Sequence, residues 1–398
     1  TIEKEKNETK NRMKSEAFLY MGLLAVQYGI QPILTKEFTS SDVERKSVVL
    51  VQEVVKFAMA GSMLLMSGGG KAAIQSWSVT SWISVALVPA GLYCIQNLSA
   101  LLACQNLDAV TYNVLNQTKT LSAALCCYLV MGRKQSKMQI VALLLLLLSA
   151  LVLEKIVNLD FLLSASSEEE DASDKTVEVS SKHLTHGVAP VLLASFLSGL
   201  AGALSQKNLQ GSNSRNSYFF TMELCMATTI MLVITSLASS GSSSSPTNFE
   251  HWTPTTIIPI LTNAAGGILV GLVTKHAGSV KKGFALIFGL LISGILQATL
   301  KSDDGLQKEH IIGGILASIS LYLHGTNPYV APPTTADAKK EKRINAFSFR
   351  VFIELVYFVP YCFYISRINL KRNQFCCYST VSLVGKNIFE IISSATFW

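Results

Sequence analysis

Long apolar stretches alternate with short polar connectors along most of the chain. Ten such stretches can be marked, at 17–36, 46–67, 79–105, 108–131, 137–155, 187–207, 217–238, 254–275, 282–300 and 310–325. The run IVALLLLLLSALVL from Ile140 to Leu153 carries no charge at all. About 20 apolar residues coiled as a helix cross the hydrocarbon core, and a helix satisfies its own backbone groups there. A membrane barrel would read instead as alternating segments of about ten residues, and that pattern is missing. The expectation is an all-α polytopic membrane protein with ten transmembrane helices.

The connectors divide these ten into two sets of five. Ser164 to His186 contains SSEEEDASD, a solvated acidic loop between the fifth and sixth stretches. A second flexible linker, GSSSSP, runs from Gly241 to Pro246. The expected organisation is an N-terminal segment 1–16, a first half 17–155, the acidic loop 156–186, a second half 187–330 and a tail 331–398. In the tail, an aromatic stretch from Phe347 to Tyr364 is broken by Arg350, Glu354 and Pro360, and reads as a poor eleventh span or an interfacial helix. A five-plus-five plan suggests an internal duplication, and transporters built this way hold substrate between their halves. Gly199–Ala203 and Ala265–Gly271 are rich in small residues that let helices approach closely.

Composition agrees with the pattern: 49% of the 398 residues are hydrophobic and only 15% charged, against about 25% charged in an average soluble domain. The net charge of +7 marks loops rather than a nucleic-acid surface, because Lys and Arg gather on the cytoplasmic side of membrane proteins. The N-terminal cluster, Lys71, Arg133, Lys134, Lys207, Lys275, Lys281, Lys282 and the basic run 339–343 fall on one side. This asymmetry puts the N-terminus in the cytosol and the acidic loop in a lumen or outside. The charged start TIEKEKNETKNR offers no apolar core for a cleavable signal peptide. Eight cysteines show no zinc spacing, and no histidine pairs with carboxylates at metal spacing, so neither cofactor nor catalysis is expected.

One stretch breaks the apolar rule. YNVLNQTK, Tyr112 to Lys119, places two asparagines, a glutamine and a lysine inside the fourth span. A charge near the bilayer centre costs about 3 kcal/mol on the mildest scale. On a continuous helix Tyr112, Asn116 and Lys119 share a face, with Asn113 and Gln117 beside it. Tyr93, Gln96 and Asn97 in the preceding span would face them across one cavity. Aromatic, amide and ammonium groups together suit a nucleotide, with a lysine as point charge for phosphate. Lys275 and Lys282 would add charge at the entrance. The competing reading pairs Lys119 with a carboxylate, Glu53 or Glu223 being the candidates inside spans, and Glu53 and Lys56 stand close enough on one helix to satisfy each other.

These motifs carry a resemblance. QNLDAVTYNVLNQTK (Gln105–Lys119), YCIQN (Tyr93–Asn97), LAGALSQK (Leu200–Lys207) and KKGF (Lys281–Phe284) resemble the nucleotide-sugar transporters of the CMP-sialic acid, UDP-galactose and UDP-N-acetylglucosamine group, over about Gln27 to Pro333. QYGIQPILTK, Gln27 to Lys36, looks like their plant branch. The resemblance implies ten helices of the drug/metabolite transporter fold in two five-helix inverted repeats around a central cavity. It implies exchange of a cytosolic nucleotide sugar for a lumenal nucleoside monophosphate at an ER or Golgi membrane. Tyr93 and Asn97 would contact the nucleotide, Tyr112, Asn113, Gln117 and Lys119 would line the cavity, and Lys282 would serve the phosphates. CMP-sialic acid transporters of animals read QNN where this chain has Gln96-Asn97-Leu98, so a UDP-sugar is favoured, an N-acetylhexosamine ahead of galactose. A gradient-driven metabolite exporter of the same superfamily, a non-transporting scaffold and a homodimeric assembly remain open at this point.

Overall fold

A computed structural model describes residues 2–40, 42–75, 77–107, 109–154, 187–211, 214–238, 249–300 and 308–329. The acidic loop, the serine linker and the tail lie outside the described residues. Among those described there is no strand; the chain is helical throughout. The helices are α1 (Ile2–Phe38), α2 (Arg45–Met66), α3 (Gly70–Gln75), α4 (Val79–Trp82), α5 (Val88–Asn106), α6 (Ala109–Gln117), α7 (Lys119–Met131), α8 (Lys137–Leu153), α9 (Ala189–Gln210), α10 (Ser217–Ala238), α11 (Ile257–His276), α12 (Ser279–Leu300) and α13 (Lys308–Thr326).

Helix stands at each of the ten marked positions. Among the described residues, seven segments are long and apolar enough to cross a membrane: Ser15–Phe38, Arg45–Met66, Val79–Asn106, Ala189–Gln210, Ser217–Ser236, Pro254–His276 and Ser279–Gln297. The helix at Lys137–Leu153 is apolar but shorter. Local chemistry sets several of the ends. Ser136 and Gln139 form a reciprocal capping box at the start of α8, with Gln139 N donating to Ser136 Oγ at 3.1 Å and Ser136 N to Gln139 Oε1 at 3.0 Å. Gly132, at φ 68°, closes α7 in the left-handed conformation. A π-helical turn, Ile83–Leu87, joins α4 to α5.

Large apolar side chains face outward on several of these helices: Leu23 and Val26 on α1, Val54 and Leu65 on α2, Ile140 and Leu144 on α8. Water does not favour that arrangement, whereas hydrocarbon does. Inside, Leu24, Cys126, Leu146, Ala201, Val273 and Phe284 belong to one buried cluster drawn from both halves of the chain.

The packing crosses between the halves. α1 lies mainly on α12 and then α11; α9 lies mainly on α7 and then α5; α2 packs on α10, and α8 on α13. Small residues make the tightest crossings. A Cβ on Gly199 of α9 would sit 2.6 Å from the carbonyl carbon of Ser122 and 2.7 Å from Ala123 N, both backbone atoms of α7. A Cβ on Gly29 of α1 would sit 2.8 Å from Gly289 O of α12. Dispersion contacts and close approach supply the association energy of membrane helices, since lipid provides no hydrophobic force between them.

Candidate functional site

The fourth predicted span is not one helix. It breaks at Thr118, whose N–H donates to Leu115 O at 3.1 Å, three residues back, before α7 begins at Lys119. Tyr112 and Asn116 therefore belong to α6, while Lys119 opens a new helix. This corrects the single continuous face expected from helical periodicity. The Thr118 hydroxyl turns back to Leu115 O at 2.6 Å and does not cap α7. Thr118 keeps helical dihedral angles and its carbonyl accepts from Ser122 N at 3.0 Å, so the break changes the hydrogen bonding without opening a gap between α6 and α7. The Lys119 ammonium thus stands directly after the break.

Two other charges act on Lys119: Lys282, on the first turn of α12, and Glu154, at the end of α8. Glu154 also accepts a hydrogen bond from Asn113 Nδ2 at 3.2 Å. Neither Glu53 nor Glu223 fills the counter-ion place expected for one of them. Glu53 Oε1 pairs with Lys56 at 2.7 Å, one turn along α2. Glu223 Oε1 pairs with Arg215 at 2.8 Å, and Arg215 also donates to Ser81 Oγ. Along the chain Glu154, at the end of the polyleucine run, reads as an ordinary boundary carboxylate, and packing alone sets it beside Asn113.

α9 holds this region together. Gln206, 3% exposed, accepts at Oε1 from Ser279 N at 2.8 Å and from Cys127 Sγ at 3.4 Å. Its Nε2 donates to Gln210 Oε1 at 2.9 Å. Gln210 Nε2 in turn donates to Thr274 O and Lys275 O, at 2.8 and 2.7 Å, at the end of α11. Two glutamines one turn apart thus satisfy backbone groups on both sides of the α11–α12 turn, where such groups have no partners within their own helices. The turn itself runs through Gly278 at φ 90°, a conformation glycine adopts without penalty. Ser279 Oγ donates to Gly202 O at 2.6 Å, and the bare face of Gly202 lets the Lys282 ammonium pass within about 4 Å of where a Cβ would stand. Sequence reasoning passed over Gln206 and Gln210, although glutamines four apart in an apolar helix are a visible signal.

The remaining candidates are distributed around this centre. Gln117 is buried beside the break, and Asn116 is partly buried. Tyr112 packs with Leu107, Leu115 and Val191 in a small apolar cluster. Tyr93 packs against the main core, and Asn97 is exposed on α5, accepting from Gln96 Nε2 at a long 3.5 Å. Lys275 sits at the end of α11, half-exposed. The structure brings Asn113, Lys119 and Lys282 together with Glu154; it gives Tyr93 and Tyr112 apolar contacts.

A profile described as nucleotide-sugar transporter matches residues 10–325. The chain belongs to the nucleotide-sugar transporter family. The transporter is 33% identical over 337 residues to the UDP-N-acetylglucosamine transporter ROCK1 of Arabidopsis thaliana, covering 84% of this chain and 98% of that one. It is 27% identical over 251 residues to the UDP-N-acetylglucosamine transporter of Rattus norvegicus, covering 63% of this chain and 73% of the other. To the UDP-galactose transporter of Schizosaccharomyces pombe it is 28% identical, over 62% and 65% of the two chains. A solved crystal structure superposes with a TM-score of 0.55 at 11% identity, covering 78% of this chain and 98% of that one; at that identity the likeness concerns the fold. The transporter is accordingly a multi-pass membrane protein that moves nucleotide sugars and is not an enzyme.

Proposed function

We propose that this transporter exchanges cytosolic UDP-N-acetylglucosamine or UDP-N-acetylgalactosamine for lumenal UMP across an ER or Golgi membrane. The observation that carries the reading is that Lys119, at the start of α7, and Lys282, on the first turn of α12, lie within electrostatic reach of each other and of Glu154, where Gly283 of α12 packs on Thr120 of α7. Two ammoniums form an anion site, and a diphosphate carries the charge to match them. The relatives named for UDP-N-acetylglucosamine in plant and animal support the uridine and the amino sugar.

The site binds nucleotide diphosphate sugar from one side and nucleoside monophosphate from the other, and the phosphates of either ligand come to the same two ammoniums. An empty site leaves those like charges with no anion between them, and their repulsion disfavours return without cargo and couples import to export. The mechanism we infer is rocking of two inverted five-helix halves, 17–155 and 187–330, with ten passes and a cytosolic N-terminus. Packing supports this plan. Shifting each helix by one five-span unit turns the α1–α12 contact into the α9–α7 contact and the α1–α11 contact into α9–α5, while α2–α10 and α8–α13 map onto themselves.

The test is uptake by purified protein in liposomes preloaded with UMP or CMP, with a panel of labelled nucleotide sugars outside. Uptake of a UDP-N-acetylhexosamine that depends on trapped UMP is expected. Preference for UDP-galactose would reassign the sugar, and uptake driven by a pH gradient without internal nucleotide would overturn exchange.

A further inference from the structure

A groove of about 370 Å³ runs along the outer face of the protein between α7 and α8. Leu121, Ala124, Leu125 and Tyr128 of α7 form one wall, Ile140 and Leu143 of α8 the other. The four α7 residues stand at i, i+3, i+4 and i+7, so they share one helix face. Leu121 follows Lys119 by two residues, which at about 100° per residue sets the groove and the lysine on opposite sides of α7. Leu125, Tyr128 and Ile140 are exposed, and on a multi-pass membrane protein that exposure is to hydrocarbon.

One end of the groove is polar. Lys134 and Gln135, from the connector between α7 and α8, meet Tyr329 there, just beyond α13. The Lys134 ammonium lies 6.0 Å from the centre of the Tyr329 ring, at the outer reach of a cation–π contact. Arg133 is engaged elsewhere, donating from Nη1 to Gln210 Oε1 of α9 at 2.8 Å. Among the described residues no carboxylate pairs with Lys134, and Gln135 Oε1 is buried with no hydrogen-bond donor. A buried acceptor without a donor is costly, and a ligand that brings a donor removes that cost. The connector is also held in place. Ser136 Oγ donates to Asn327 O at 2.7 Å and Gln139 Nε2 to His324 O at 3.3 Å, which ties the start of α8 to the end of α13.

We propose that this groove binds one anionic phospholipid with a hydroxyl-bearing headgroup, of the phosphatidylinositol kind. An acyl chain lies along the apolar walls, the phosphate meets Lys134, and a headgroup hydroxyl donates to Gln135 Oε1. A bilayer lipid beside a plain helix face would find the apolar wall alone. A fixed cation and an unpartnered acceptor at one end of that wall add recognition of the headgroup. On the orientation proposed above, this end meets the cytosolic leaflet, the one that carries anionic lipids. Bound lipid touches α7, α8 and the end of α13 together, so it braces the helix that carries Lys119 on its other side.

The experiment uses the full-length transporter in phosphatidylcholine vesicles with increasing phosphatidylinositol, read by melting temperature and by native mass spectrometry of retained lipid. Phosphatidylinositol is expected to stay bound and raise the melting temperature, and phosphatidylcholine to do neither. Lys134→Gln should weaken phosphatidylinositol binding about fivefold, the worth of one lysine at an anionic surface. Gln135→Leu should weaken it by a similar factor, about one hydrogen bond. In phosphatidylcholine alone Gln135→Leu should melt no lower than wild type, because leucine leaves no acceptor unmet. Equal retention of the two lipids, or unchanged affinity in either variant, overturns the site. So does a photo-cross-linker at Leu125 that captures residues 331–398 of the same chain instead of lipid. Neither Lys134 nor Gln135 belongs to the lysine centre, so failure of the exchange reading would leave this comparison untouched.

Discussion

Lys119 and Lys282 lie within electrostatic reach of each other where α7 and α12 pack, and like charges so placed repel unless an anion comes between them. Lys119→Ala is expected to abolish exchange while leaving expression and targeting intact, because its binding partner is a ligand and not the fold. A folded Lys119→Ala protein that exchanges normally would remove the lysine centre from the mechanism. Glu154→Gln keeps the size of the side chain and its hydrogen bond to Asn113 while removing the competing anion. Its expected effect is a several-fold lower KM for UMP together with slower turnover, measured by initial rates of counterflow. A KM that stays at the wild-type value would show that Glu154 does not balance the lysines.

Among the helices, close crossings and buried pairs decide stability. At Gly199 the neighbour is α7 backbone, which has no rotamer to move, so Gly199→Ala forces the helices apart and costs about 1–3 kcal/mol by the usual penalty for overpacking. The predicted readout is a lower melting temperature in detergent, with reduced transport, since α7 carries Lys119. The Arg215–Glu223 pair is of another kind, with the Glu223 side chain only 2% exposed. Glu223→Ala strands a buried guanidinium and is expected to cost about 3–5 kcal/mol, whereas the double replacement Arg215→Met with Glu223→Leu recovers much of that loss. Equal melting temperatures for the single and double variants would contradict the pairing.

For the molecule as a whole, contacts crossing between the halves outweigh those within either one. α1 has its main partners in α12 and α11, and α9 has its main partners in α7 and α5. Neither half covers its own interior faces when alone. Co-expression of residues 1–160 with residues 180–398 as separate chains is therefore expected to restore UMP-dependent uptake. Each piece expressed singly should be degraded or aggregate. A stable, monodisperse single half would contradict the interleaved packing.

Helical class, the positions of the helices and the presence of a costly lysine in an apolar stretch were legible in the sequence, because hydrocarbon thickness and backbone satisfaction constrain each segment independently of its neighbours. The lysine motif and KKGF pointed to the family for the same reason: both are local. The break at Thr118 was not legible, since Thr118 keeps helical dihedral angles and no proline or glycine marks the change of hydrogen bonding. Nor was the choice among carboxylates: Glu53, Glu154 and Glu223 look alike along the chain, and only packing brings Glu154 near Lys119 while giving the other two partners of their own. The same holds for the carboxamides of Gln27, Gln52 and Asn263, which lie on α1, α2 and α11, up to 236 positions apart, and meet at one cavity. Segment identity is a property of a helix in its solvent; the meeting of side chains from distant helices depends on how those helices cross, and that was decided by tertiary structure alone.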